Sequence, residues 1–230
     1  MPGMMPQRAH IVCLFLLKTF IACSDVGDTT FLFEMGFDNV KIDSCSEFRN
    51  LSLWEQLLNE TGRAYIIEDC FQGGIVGNLS WCPFTHFRTG GDLSQGWNDI
   101  ANKLQQVRPY TRNLTTPTSR PGCWAFPDML QVGQVSPNTQ DANQAHFGAW
   151  SIVSSPLILG MNLSDQSAMD TSWPIIMNTE VVNVNQQWAG HPGQLVREWF
   201  PSPGEDGPAE GIFAWAMPCD GTVEQTGWRV

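Results

Sequence analysis

The chain has 230 residues, 42% of them hydrophobic and 15% charged, with no low-complexity tract, enough to bury a substantial core as one large domain or two small ones. Twelve Lys and Arg stand against 23 Asp and Glu, a formal charge of -11. No basic face is available to neutralise phosphates, which argues against nucleic acid and anionic membrane as partners.

Residues 1–24 carry Arg8 and His10 ahead of the apolar stretch 11–23, which Lys18 interrupts. That stretch falls short of the ~20 residues needed to span a bilayer. It reads as a signal-like leader, or as a leader mis-joined to the domain that follows. Residues 40–43 then form a short extended run ending in Asp43, with Lys41 inside it. A lysine in a β-run is costly to bury unless paired, so Lys41 is expected to have a charge partner.

Leu51, Trp54, Leu57 and Leu58 recur at helical spacing and predict a helix over 48–60, stopping before Gly62. Residues 64–68 are a second apolar strand and 73–81 a loop. The spacing of Trp97, Ile100, Leu104 and Val107 predicts a helix over 92–107. Residues 122–130 form a strand-to-loop transition. A helix over 143–154 turns Phe147, Trp150 and Ile152 or Val153 inward, and 155–160 reads as an apolar strand ending in Gly160. Residues 181–184 begin a helix or a strand, 201–208 are a Pro/Gly/acidic linker, and 211–217 form one more strand.

Strands alternating with helices of ~10–15 residues imply βαβ units and a parallel sheet. In such sheets functional residues collect at the carboxyl ends of the strands. Asp43, Cys70, Arg88, Asp92, Asp128 and the turn at 160–162 all fall there.

Five Asn-X-Ser/Thr sequons, at Asn50, Asn59, Asn78, Asn113 and Asn162, point to the secretory route. Seven cysteines agree with an oxidising compartment. There is no C-x-x-C and no H-E-x-x-H, so disulfides are favoured over a metal site. Cys70 and Cys82, separated by a Gly-rich loop, are expected to form a local disulfide.

Asp43 lies beside Lys41, and Asp92 follows Arg88 by four residues in a Gly-rich loop. Two carboxylates at the ends of different strands, each near a cation, suit acid/base and nucleophilic chemistry on an uncharged substrate. Glycosidic bond cleavage is the expected reaction. The plainer readings make Asp92 a helix N-cap, Asp128 a turn or cap residue after Pro127, His146 and His191 structural, and Trp97 and Trp150 helix core.

Four segments, in order, resemble the α-galactosidase (melibiase) family of retaining glycoside hydrolases. They are Gly36-Phe-Asp-Asn-Val-Lys-Ile-Asp-Ser-Cys45, Trp81-Cys-Pro running to Phe87-Arg-Thr-Gly-Gly-Asp92, Gly122-Cys-Trp-Ala-Phe-Pro-Asp-Met-Leu130, and His146-Phe-Gly-Ala-Trp with Ser155-Pro-Leu-Ile-Leu-Gly160. The resemblance covers about residues 25–199. It implies an α/β fold over 25–200, a partial (β/α)8 TIM barrel of about strands 4–8. Residues 201–230 would then be a linker and the truncated start of an antiparallel β-domain.

By the resemblance Asp43 is the nucleophile and Asp92 the general acid/base, two carboxyls about 5–5.5 Å apart in a retaining site. Lys41 and Arg88 would bind sugar hydroxyls or keep the nucleophile ionised. Asp128 and Met129 would contact the sugar, and Trp124 would give an apolar wall. No metal or cofactor is implied. The substrate would be an α-galactoside oligosaccharide or glycoconjugate, the location secreted or lysosome/vacuole-like, and a homodimer is compatible with this.

Departures from the family pattern leave alternatives open. Cys70 is followed by Phe71-Gln-Gly-Gly, so an α-N-acetylgalactosaminidase or β-L-arabinopyranosidase specificity stands beside galactose. Ala125-Phe126 replaces the more usual Asn-Asp, and Cys45 has no obvious mate. The family's first three barrel strands have no counterpart, which keeps an inactive half-barrel fragment as the rival reading.

Overall fold

In the computed structural model, which describes residues 11–13, 25–43, 50–70, 74–199 and 212–216, the chain divides into two units, Met1–Arg88 and Thr89–Val230. The first is a run of parallel strands with helical crossovers. Strands β1 (Ile11–Cys13), β2 (Asn39–Ile42), β3 (Ile66–Asp69) and β4 (His86–Arg88) pair in that order. Helix α1 (Asp25–Met35) joins β1 to β2, and α2 (Leu51–Glu60) joins β2 to β3. This bears out an α/β fold with a parallel sheet. β1 lies inside the stretch read from the sequence as a leader.

Local chemistry sets the helix ends. Asn50 caps α2 by accepting the Leu53 N–H at 3.1 Å. Gly36 closes α1 at φ 79°, with its N–H on Phe33 O and the Phe37 N–H on Leu32 O, the paired bonds of a Schellman end. Leu51, Trp54 and Leu58 of α2 are buried, as are Leu32, Val40, Ile42, Ile67, Phe84 and Phe87 of the same unit. Arg63 clasps the loop before β2 through an ion pair with Asp38 and a 2.9 Å bond to Gly36 O.

The second unit holds α3 (Trp97–Thr111), β5 (Trp124–Phe126), α4 (Gln140–Ile152), α5 (Gln166–Ile176) and α6 (Thr179–Gln186). An antiparallel pair follows, β6 (Gln194–Trp199) with β7 (Ile212–Ala216). Its core gathers Ile100, Leu130, Val132, Val135, Phe147, Trp150, Ile175 and Ile176. No helix among the described residues is long and apolar enough to cross a membrane.

Several sequence expectations are corrected here. Helix α3 begins at Trp97, not Asp92, because the 91–94 backbone is tied into a loop described below. Helix α4 begins three residues early, at Gln140, where Thr139 Oγ1 accepts the Ala142 N–H. Residues 155–160 form no strand but a single bridge, with Leu130 N–H on Ile158 O and Gly160 N–H on Leu130 O. A side chain at Gly160 would come within 2.9 Å of Leu130 O, so this approach needs glycine. Residues 181–184 are helical in α6, started by Asn178, whose Oδ1 accepts the Glu180 and Val181 N–H groups. The strand read at 211–217 is β7. The linker at 201–208, Cys45 and residues 71–73 lie outside the described residues.

Candidate active site

Strand register builds the first half of the site. Lys41 on β2 faces Glu68 on β3, and Glu68 faces His86 on β4. Side chains alternate across a strand, so these three share one face of the sheet. The Lys41 ammonium lies 3.4 Å from Glu68 Oε1 and His86 Nε2 lies 3.3 Å from Glu68 Oε2. A carboxylate can only accept, so His86 carries its hydrogen on Nε2 at this contact. Glu68 Oε1 has no hydrogen bond of good geometry among the described residues, so its compensation is the ion pair.

Two residues further along each strand come Asp43, Cys70 and Arg88, a second row on the same face toward the carboxyl ends. The Arg88 Nη1–H group reaches Cys70 Sγ at 3.7 Å. Arg88 is buried and Asp43 half-buried. The proposed nucleophile, both flanking cations and a thiol are thus brought together within the first unit.

The field in this row is strong. Burial alone would pull the Lys41 pKa down, but the Glu68 carboxylate, with a hydrogen bond to Cys70, outweighs it and holds the ammonium above its ordinary range. Burial would push Glu68 up, yet the His86 hydrogen bond and the His86 and Lys41 charges bring it below the usual carboxylate value. Burial, with the neighbouring Asp43 and Glu68 carboxylates, pushes the Cys70 thiol up to about 12 against the pull of Lys41 and Arg88. Cys70 is therefore a neutral thiol at ordinary pH.

This overturns the expected Cys70–Cys82 disulfide. Cys70 is free, turned onto the Lys41 and Arg88 face, while Cys82 is itself in a disulfide. Spacing in the chain does not report the direction in which a strand-end side chain points.

The second unit carries the other carboxylate. Asp92 is exposed on the loop after β4 and is not a helix cap, since Gly96 holds the N-cap of α3. Its loop is fastened on both sides. Lys103 of α3 donates to Gly91 O at 2.7 Å, and Asp128 Oδ2 accepts the Leu93 N–H at 2.7 Å. One residue on, Asp99 Oδ2 accepts the Ser94 N–H at 2.6 Å.

Asp128 is itself over-determined. Its backbone sits at φ 136°, a region where residues other than glycine are rare. Its Oδ1 accepts the Met129 N–H at 2.8 Å, and the buried Trp150 indole donates to its carbonyl at 2.6 Å. Met129, next to it, is exposed. Trp124 stands apart from this group: it opens β5 at the end away from Asp128, its ring edge-on to Trp188 at 5.3 Å. His146 is buried, with Nε2 accepting the Gln131 N–H at 2.9 Å, and burial brings its pKa down to about 3.

Sequence reasoning missed Glu68, His86, Lys103 and Asp99. Lys41 signalled the first of these, because a lysine in a β-run asks for a partner. Among the described residues, no three His, Cys, Asp or Glu side chains converge as a metal site.

Residues 19–187 match the family model described as Alpha galactosidase A. A probable alpha-galactosidase D of Aspergillus fumigatus is 28% identical over 220 residues, 85% of this chain and 32% of the relative. Alpha-galactosidase 2 of Arabidopsis thaliana is 30% identical over 180 residues, 71% of this chain and 41% of the relative. The solved alpha-galactosidase of Saccharomyces cerevisiae shares the fold with a TM-score of 0.67 at 22% identity, over 88% of this chain and 52% of that one. The yeast protein has also been solved with raffinose. The chain thus spans 32–41% of the length of these curated relatives.

Proposed function

The chain belongs to the alpha-galactosidase family, matched over residues 19–187, and we propose that it hydrolyses terminal α-D-galactosyl residues with retention. The observation that carries this reading is the row Asp43, Cys70 and Arg88 above the row Lys41, Glu68 and His86. It sets a half-buried carboxylate at a strand end beside Cys70, whose thiol also meets the Lys41 ammonium and the Arg88 guanidinium.

In this reading Asp43 attacks the anomeric carbon and forms a galactosyl ester as the glycosidic bond breaks. Asp92 gives its proton to the leaving oxygen, then takes one from the water that attacks the ester, restoring both carboxyls. Both steps use only carboxyl groups and water. Lys41 and Arg88 offer donors to sugar hydroxyls, while the fastened loop keeps Asp92 in one place. Asp128 and Met129 flank the sugar. The parallel strands correspond to about strands 4–8 of a (β/α)8 barrel. A secretory location is part of the reading: Asn78, Asn113 and Asn162 are exposed in turns, each Oδ1 accepting the N–H two residues on.

The test is hydrolysis of p-nitrophenyl α-D-galactoside and of raffinose by the full chain. Asp43→Asn is expected to reduce turnover to background. Asp92→Asn should lose about 10²–10⁴-fold on raffinose, the range of general acid catalysis, and less on the nitrophenyl substrate, whose leaving group needs little protonation. An inert wild-type chain, or an Asp43→Asn variant as active as wild type, contradicts the proposal.

A further inference from the structure

We propose that Glu68, anchored by His86, is a positioning residue for Lys41, aiming its ammonium at the strand end where Asp43 stands. This rests on the glycosidase reading for its catalytic meaning, but the geometry is independent of it. A lysine side chain has four rotatable carbons and a compact, mobile charge. Here it is only 19% exposed and stands against a carboxylate that is itself 8% exposed.

The arrangement is directional because each carboxylate oxygen has one task. Oε2 is engaged by His86 at 3.3 Å, which fixes the plane of the carboxyl group and leaves Oε1 toward Lys41 at 3.4 Å. His86 is itself 2% exposed and cannot swing away without breaking the packing of β4. The three residues are register partners on adjacent strands, so the backbone sets their spacing rather than a flexible loop.

A buried carboxylate with a lysine and a histidine on its two oxygens is expensive to assemble. A surface lysine would bring charge to Asp43 without it. What the row adds is a fixed direction and resistance to losing the proton. Lys41 also faces Cys70 beyond β3 and Arg88 of β4, and its register partner on β1 is Cys13. Arg88 works against its protonation, and Glu68 is the largest charge that offsets it.

The deciding measurement is an NMR titration of the full chain carrying ¹³C-lysine, in which Lys18, Lys41 and Lys103 are the only lysines. In wild type Lys41 is expected to stay protonated past the ordinary lysine value of ~10.4. In Glu68→Gln, which keeps the shape and removes the charge, its midpoint should fall by about one unit or more. His86→Gln retains a donor for Oε2 and should lie near wild type.

Should Glu68→Gln fail to melt cooperatively, Glu68→Asp carries the test: the charge is kept but drawn back by ~1.5 Å, so the Lys41 midpoint should fall in the same direction by a smaller amount. A Lys41 titration unchanged in the folded variant contradicts the proposal. An inert wild type would sink the glycosidase reading while the lysine titration still decides the positioning role.

Discussion

Asp128 reaches back across 35 residues of chain to accept the Leu93 N–H at 2.7 Å, fastening the loop that presents Asp92. The same carboxylate accepts the Met129 N–H with its other oxygen. Asp128 therefore acts on the proposed acid/base through the backbone, whatever contact it also makes with a sugar.

Asp128→Asn puts an amide where two N–H donors need two acceptors, so one of them loses its partner. The expected cost is about 1 kcal/mol, since both donors are only part-buried. Urea melts should show it, together with faster amide exchange at Leu93 and a fall in kcat larger than the rise in KM. Unchanged exchange at Leu93 would show that the loop does not depend on this bond.

Cys70 should be slow to alkylate. A thiol with a pKa near 12 carries little thiolate below pH 9, and the thiolate is the nucleophile. Its iodoacetamide labelling rate, followed by peptide mapping, is expected to keep climbing through pH 10. A plateau near the ordinary thiol value of ~8.5 would contradict the burial argument.

His146 makes stability fall with acid. Its folded pKa near 3 lies below the unfolded value of about 6.5, so below pH 6.5 the unfolded chain binds a proton that the folded chain refuses. The stabilisation is present above pH 6.5 and is lost as pH falls toward 3, with a slope approaching ~1.4 kcal/mol per pH unit from this group. His146→Gln retains an acceptor for the Gln131 N–H and should flatten that part of the pH profile. An equally steep profile in the variant would remove His146 as its cause.

The sequence made the strand ends legible because Lys41 and Asp43 alternate with Val40 and Ile42, and alternation fixes which residues share a face. It also showed that Lys41 needed a partner. It did not show that the partner was Glu68, because that depends on the register of β2 against β3, and register has no local signature. The start of α3 was misplaced for a related reason: helical spacing extends to Asp92, but Asp128 and Asp99 take the Leu93 and Ser94 N–H groups and hold that backbone in a loop. Proximity in the chain pairs Cys70 with Cys82, and the direction of the Cys70 side chain overrules it.

The most direct test of the account is chemical trapping of the ester. Incubation with an activated fluoro-galactosyl inactivator, followed by peptide mass mapping, should add one fluoro-galactosyl unit to the peptide containing Asp43, and the label should vanish in Asp43→Asn. Label on a different carboxylate, or galactose released from substrate with inverted anomeric configuration and no label at all, would contradict it.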